Sequence, residues 1–328
     1  MRELTYTAAA REALTEAMAR DPSIFVVGEG IGPRGGNFNT TLGLHELHGT
    51  LRLRDTPISE RGFVGLCGGA AMTGARPVVD LMFMDFGLDA LGEMLNQISK
   101  MQYMSSGRLK MPIVLRACIG VGNSAATHHS GSYYPFFVHI PGFRVALPST
   151  PRDARGLLAT ALRSDDPVVF LEHRALLNTK GPVPDEMETI PFGQAAVARP
   201  GGADCRITVV ALSVMARKAL EACDQLAAEG VPVEVIDPRT LAPLDIQAIL
   251  DSVHRTGRLL IVDETYAPCG IGAEIAAQVT DLAFDDLDAP VRRLNGAHTP
   301  IPYSPPLEAA VVPDTAAIAR AIRDLLAE

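Results

Sequence analysis

Short apolar runs, each followed by a helical stretch, recur along this chain. That alternation limits what it can fold into more than any other feature. IFVVGE (24–29), PVVDLMF (77–83), PIVLRACIG (112–120), FRVALPS (143–149) and PVVFLEHR (167–174) read as strands. Residues 8–20, 88–104 and 151–164 carry helical spacing, and PISERGFVGLCGGAAMTG reads as a turn leading into a helix. Strands that are apolar on both faces and separated by helices predict a mostly parallel sheet covered by those helices. A stretch rich in Pro, Gly and charge follows. The alternation then restarts with CRITVVAL (205–212), PVEVID (232–237), RLLIVDE (258–264) and VRRLNG (291–296). The expected fold class is therefore α/β, with two α/β domains of mostly parallel sheets. The boundaries fall at residues 1–180 for the first domain, 181–203 for a linker and 204–328 for the second.

A chain of 328 residues with 47% hydrophobic content can bury two such cores. The net charge of −9, with no basic patch, argues against a nucleic-acid or anionic-membrane partner. Cys67, Cys118, Cys205, Cys223 and Cys269 are odd in number, and no two have CxxC spacing. A disulfide framework or zinc site is disfavoured, and a cytoplasmic location fits best. The first twenty residues lack the apolar core of a signal peptide, and no uncharged stretch is long enough to span a membrane.

GVGNSA (120–125) and GIGAE (270–274) are incomplete dinucleotide-type glycine loops. His128 and His129 lie in a long loop, 121–137, just beyond a strand. They are either solvated loop histidines or a general acid/base, since imidazole donates and accepts near neutral pH. Tyr133, Tyr134, Phe136 and Phe137 read as packing residues. In MFMDFGLD (82–89), Met82 suits the core, and Phe86 suits either the core or the face of a flat heterocycle. Glu60 opens a glycine-studded run, and its residue type leaves several roles open. It could be a helix-start acid, a partner of Arg61 or Arg76, or a buried carboxylate held for a ring nitrogen, with Ser59 capping beside it.

Together these stretches resemble a known family. Glu60, Gly65 and Gly68 are spaced as in the pyrimidine-side motif of thiamin diphosphate enzymes, although Ala71 stands where a glutamine usually closes that motif. More closely, GEGIGPRGGNF, DTPISE, RPVVDLMFMDF, PIVLRACIG, HHS, PGFRVALPSTPRDARGLL, SDDPVVFLEHRAL and IPYSPPLE occur in order. They resemble the β subunit of the E1 component of 2-oxo acid and acetoin dehydrogenases, most of all the acetoin branch. The resemblance implies a transketolase-like pyrimidine-binding domain followed by a transketolase C-terminal domain. It implies that Glu60 bonds the aminopyrimidine, that Met82 and Phe86 wall its pocket, and that His129 serves the substrate and lipoyl-transfer step, with His128 its neighbour. It also implies a backbone-carbonyl site for a monovalent cation such as K⁺ at Ile113, Ala161, Leu162, Ser164 and Asp166.

The family's GDG motif for diphosphate and Mg²⁺ is absent from this chain. The resemblance therefore puts those groups on an E1 α subunit, in a heterotetramer of two α and two β subunits that serves a lipoyl-bearing E2. Two departures bear on substrate choice: Gly131 where the family reads HSQ, and His298 in GAHTP where it carries an acid. Two rivals remain at this level. One is a split transketolase-like ketol transferase, with Arg116 and Arg144 as candidate phosphate contacts. The other is a non-catalytic subunit of the same fold.

Overall fold

A computed structural model describes residues 1–328, which form two compact units. Residues 1–120 and 128–192 make the first, and residues 121–127 and 193–328 make the second. In the first unit the elements run β1 (Arg2–Thr5), α1 (Tyr6–Arg20), β2 (Ile24–Gly28), α2 (Leu44–His48), β3 (Leu53–Asp55), α3 (Glu60–Met72), β4 (Arg76–Phe83) and α4 (Met84–Gly87). They continue with α5 (Met101–Met104), β5 (Val114–Ile119), α6 (Tyr134–His139), β6 (Arg144–Ala146), α7 (Pro151–Ala161), β7 (Val168–His173) and β8 (Lys180–Val183).

The main sheet of this unit is parallel in the order β6-β7-β5-β4-β2-β3, and β1 pairs antiparallel with β8. Strands β5 and β7 are buried along their whole length, and the two charges they carry, Arg116 and Glu172, are paired with each other there. Helices α1 and α7 pack against each other. Each starts at a threonine whose hydroxyl oxygen accepts a backbone N–H, Thr5 from Ala8 at 3.2 Å and Thr150 from Asp153 at 3.1 Å.

From β2 the chain moves to β3 on one side and then to β4 on the other, so the strand order reverses between β2 and β4. Ligands of open α/β sheets settle at the carboxyl ends of strands at such a reversal. The backbones approach closely there, because a Cβ on Gly28 would lie 2.4 Å from the Asp80 carbonyl oxygen.

Two segments differ from the expectation. Residues 88–104 do not form one helix. They split into a 3₁₀ turn (88–90), a π-helical segment (Gly92–Ile98) and α5. The wider π turn still buries Met94 and Ile98. Over seven residues, apolar spacing cannot separate a 3.6-residue period from a wider one. The loop 121–137 contains a 3₁₀ turn, Thr127–His129, and the start of α6, where Pro135 occupies a first-turn position that needs no N–H donor.

The second unit contains β9 (Ala196–Arg199), β10 (Thr208–Ala211), α8 (Val214–Ala227), β11 (Glu234–Asp237), β12 (Thr240–Ala242), α9 (Ile246–Thr256) and β13 (Leu259–Tyr266). It ends with α10 (Ile271–Ala283), β14 (Arg292–Gly296), α11 (Pro305–Ala310) and α12 (Thr315–Leu326). Its sheet runs β14-β13-β10-β11-β9, parallel except for β9. The run 181–203, read as a linker, carries part of β8 and all of β9. Both lie antiparallel to their partners, where Pro and Gly are tolerated. No helix of the chain is long and apolar enough to cross a membrane.

Candidate functional site

The carboxyl ends of the first unit's strands gather most of the expected residues. Glu29 follows β2, Glu60 opens α3 beyond β3, Met82 and Phe86 lie at and beyond the end of β4, and His129 lies beyond β5.

Glu60 is 9% exposed, and neither arginine offered as its partner reaches it. Arg61 donates to the Asp89 carbonyl at 3.2 Å and pairs with Glu93 at 3.8 Å. Arg76 pairs with Asp165 at 2.6 Å and donates to the Ser164 carbonyl at 2.8 Å. Ser59 makes no side-chain cap bond. The charge that does act near Glu60 is another carboxylate: burial first, and then Glu60, raise the pKa of Glu29. Two acids held together at a helix start, with no cation between them, suit a partner brought from outside the chain.

Met82 has a left-handed backbone, φ 61°, at a register shift between Asp80 and Phe83 in the pairing of β4 with β5. This is a β-bulge, which re-aims a side chain at a strand's end. Asp80 holds it by accepting the Met82 N–H at 2.9 Å and the Thr40 hydroxyl at 2.8 Å. Asn37 from the glycine-rich loop contacts the Met82 sulfur. That loop is itself fixed by the Gly32 N–H donating to Asp55 at 2.9 Å.

His129 is half-buried and lies edge-on to Phe83 at 4.9 Å and Phe86 at 5.4 Å, whereas His128 is exposed. Phe83 also meets Phe38 edge-on at 5.2 Å and carries the Arg174 guanidinium 5.0 Å from its centroid. Beside His129, the Ser130 hydroxyl is buried without a protein partner. Cys118, at the end of β5, is not a nucleophile, because burial pushes its thiol up to about 12.

Sequence reasoning passed over Glu29, Asp80 and Asp85, and read Tyr133 only as a packing residue. Gly131 N–H and the Tyr133 hydroxyl both donate to the Asp85 carboxylate at 3.2 Å. A Cβ on Gly131 would meet the Tyr133 ring at 2.1 Å, so that ring fills the space where the side chain of residue 131 would begin. An available signal was position, since Glu29 directly follows a strand and Asp80 stands two residues before Met82.

The residues expected to form a carbonyl cation site converge around the α7–β7 connection. Ser164 N–H donates to the Ala161 carbonyl at 3.1 Å, and Ile113 accepts from Val168 N–H at 2.9 Å. Leu162 accompanies them, the Asp166 carbonyl accepts from the Ser164 hydroxyl at 3.0 Å, and the Ser164 carbonyl already accepts from Arg76.

The two arginines considered for phosphate are both engaged. Arg116 forms a buried ion pair with Glu172, and Arg144 pairs with Asp166 at 2.8 Å. In the second unit, His298 packs edge-on against Tyr266 at 5.4 Å. GVGNSA leads into no α-helix, and GIGAE opens α10 but has Ile275 where a third glycine belongs.

Comparison with known proteins identifies the family of both halves of the chain. Residues 2–180 match the transketolase pyrimidine binding domain, and residues 193–318 match the transketolase C-terminal domain. The chain is 43% identical to the acetoin:2,6-dichlorophenolindophenol oxidoreductase subunit beta of Cupriavidus necator, over 98% of this chain and 97% of that one. It is 40% identical to the Bacillus subtilis protein of the same name, over 100% and 98% of the two chains. It is also 40% identical to the pyruvate dehydrogenase E1 component subunit beta of Rickettsia conorii, over 98% of each. Its fold is shared with a split-gene transketolase structure, with a TM-score of 0.79 at 20% identity over 99% of this chain and 98% of the other.

Proposed function

We propose that this chain, which belongs to the β-subunit family of E1 components of 2-oxo acid and acetoin dehydrogenases, supplies the pyrimidine half of a thiamin diphosphate site that an E1 α subunit completes. The observation that carries the reading is Glu60, a buried carboxylate with no cation beside it and a second acid as neighbour. A scaffold would not keep an acid in that state, because an unpaired buried carboxylate destabilises the fold. The residues at the site fit the group. Glu60 offers an acceptor or a proton to a ring nitrogen, Met82 and Phe86 offer apolar faces, and the Ser130 hydroxyl still lacks a partner.

Thiamin diphosphate, when bound, supplies the electron sink for cleaving the C–C bond next to the substrate carbonyl. With that group bound, Glu60 would hydrogen-bond the pyrimidine N1′ and hold the proton shared with it. Met82, aimed by the Asp80-held bulge, and Phe86 exclude water from the ring. His129 gives or takes the proton needed as the acyl group leaves reductively for the lipoyl disulfide of an E2 partner. Mg²⁺ and the diphosphate belong to the α subunit, in a heterotetramer of two α and two β chains. The carbonyls of Ile113, Ala161, Leu162, Ser164 and Asp166 take a monovalent cation such as K⁺, and a K⁺-specific rise in melting temperature is the test of that site. Acetoin is the first substrate to try, followed by pyruvate. The ketol-transferase rival is disfavoured because Arg116 and Arg144 are spent on Glu172 and Asp166. With five free cysteines and no membrane-crossing helix, the chain suits a reducing cytoplasm.

The experiment is reconstitution with an E1 α subunit. Glu60→Ala should lower turnover by about 10²- to 10⁴-fold while the heterotetramer still assembles, because the loss is that of a general acid/base. Retained turnover would end the proton-sharing role. Tight Mg²⁺-dependent binding of thiamin diphosphate by this chain alone would contradict the shared site.

A further inference from the structure

We propose that Asp85 is the positioning residue for His129, acting through Gly131 and Tyr133; the inference rests on the role given to His129 above. Asp85 lies in α4, one residue before Phe86. Its carboxylate accepts the Gly131 N–H on both oxygens, at 3.2 and 3.3 Å, and the Tyr133 hydroxyl at 3.2 Å. Gly131 is two residues beyond His129. The short helix that supplies one ring His129 leans on therefore also supplies the carboxylate that ties down its loop.

The ring contacts alone do not fix the imidazole. Edge-on packing against Phe83 and Phe86 at 4.9 and 5.4 Å is weakly directional, and His129 rides on a three-residue 3₁₀ turn. A two-point bond to a charged acceptor sets the backbone direction of the loop and hence where the imidazole points. Tyr133 makes the arrangement specific. Its ring covers Gly131 so closely that a Cβ there would stand 2.1 Å away, and its other side stacks on Phe136 with centroids 6.2 Å apart and planes at 25°. The hydroxyl is thereby aimed at Asp85. A glycine at 131 is what lets the phenol lie there, and this accounts physically for the absence of a side chain at that position.

A double-mutant cycle in the heterotetramer reconstituted with its α subunit, assayed with acetoin or pyruvate and a lipoyl acceptor, tests this. Asp85→Ala should lower kcat about tenfold or more with KM within about twofold, because positioning acts mainly in the transition state. Asp85→Asn should recover most of the loss, because its side-chain oxygen still accepts the Gly131 N–H. Tyr133→Phe should cost about threefold, one arm of the clamp being lost. In a His129→Ala background each of these substitutions should cost no more than about twofold, since the residue being positioned is gone. If Asp85→Ala fails to assemble, Asp85→Asn and Tyr133→Phe complete the cycle. Losses that add in the His129→Ala background would overturn the positioning role and leave the proposed function intact. Undiminished turnover in His129→Ala alone would overturn the role of that histidine and this inference with it.

Discussion

Strands β4 and β11 end in the same way. In each, an aspartate accepts the N–H two residues on: Asp80 from Met82 and Asp237 from Arg239, both at 2.9 Å. In each, that second residue is left-handed, with φ of 61° and 58°. Such a conformation costs about 1–2 kcal/mol in a residue with a Cβ and persists only where side-chain bonds hold it. The outcomes differ beyond that point. Past β11 the chain satisfies itself, since the Arg239 guanidinium donates to the Gln194 and Ala195 carbonyls at 2.8 and 3.1 Å. At the carboxyl edge to which β4 leads stand a half-buried methionine, a wall of three rings and two acids without a cation. A strained strand end is therefore no sign of function in itself. Function shows in which strand end leads to groups the protein leaves without partners.

The largest effect should come from the ion pair beneath the end of β4. Asp80 and Met82 border a void of about 10 Å³ together with Arg116 and Glu172, whose ion pair is almost wholly buried. Glu172→Ala should destabilise the chain by about 3–5 kcal/mol, because it leaves a buried guanidinium uncompensated. Loss of a more exposed pair in the second unit, by Glu234→Ala at the start of β11, should cost less than half as much by urea unfolding, because Arg255 is 56% exposed and meets water, while Ser252 keeps its bond to Thr208. Equal losses would show that burial of the partner guanidinium does not set the cost. Next in size are the aspartates themselves. Asp80→Ala and Asp237→Ala should each cost about 1–3 kcal/mol, the penalty for orphaning a donor. Only Asp80→Ala should also lower turnover of the reconstituted enzyme, by about tenfold, as Met82 loses its aim. A comparable fall in Asp237→Ala would show that the β4 strand end is not special. Gly131→Ala comes third. It must displace the Tyr133 ring, and it should lower kcat several-fold, to about a fifth, with a melting temperature near that of the unaltered chain.

The sheets and most of their helices were legible because their information is local. A run such as VVDLMF (78–83) between helical stretches has few other solutions. The π segment at 92–98 was not legible, since Met94 and Ile98 satisfy either helical period. Strands β8 and β9 were hidden in Pro- and Gly-rich sequence, because an antiparallel edge pairing is specified by a distant partner. In the site, Glu60, Met82, Phe86 and His129 could be named from family spacing. That spacing says nothing of what surrounds Glu60. Only the structure shows that Arg61 and Arg76 turn away from it, or that Asp85 and Tyr133 meet across more than forty residues of chain.

The smallest effect sharpens the comparison most directly, because it reads the carboxylates through stability and not through turnover. Burial and the neighbouring Glu60 raise the pKa of Glu29 above the ordinary carboxylate range. In the pH window between its unfolded and folded values, the folded chain holds a proton that the unfolded chain has released. Stability must then fall as pH rises through that window, and the full contribution is present only below the unfolded value. Glu29→Gln should flatten this part of the curve of urea midpoint against pH. Glu60→Gln should flatten it only in part, because burial, the larger cause, remains. A slope that survives Glu29→Gln would mean that the two acids do not share one field, and that Glu60 waits at its helix start without the neighbour this reading gives it.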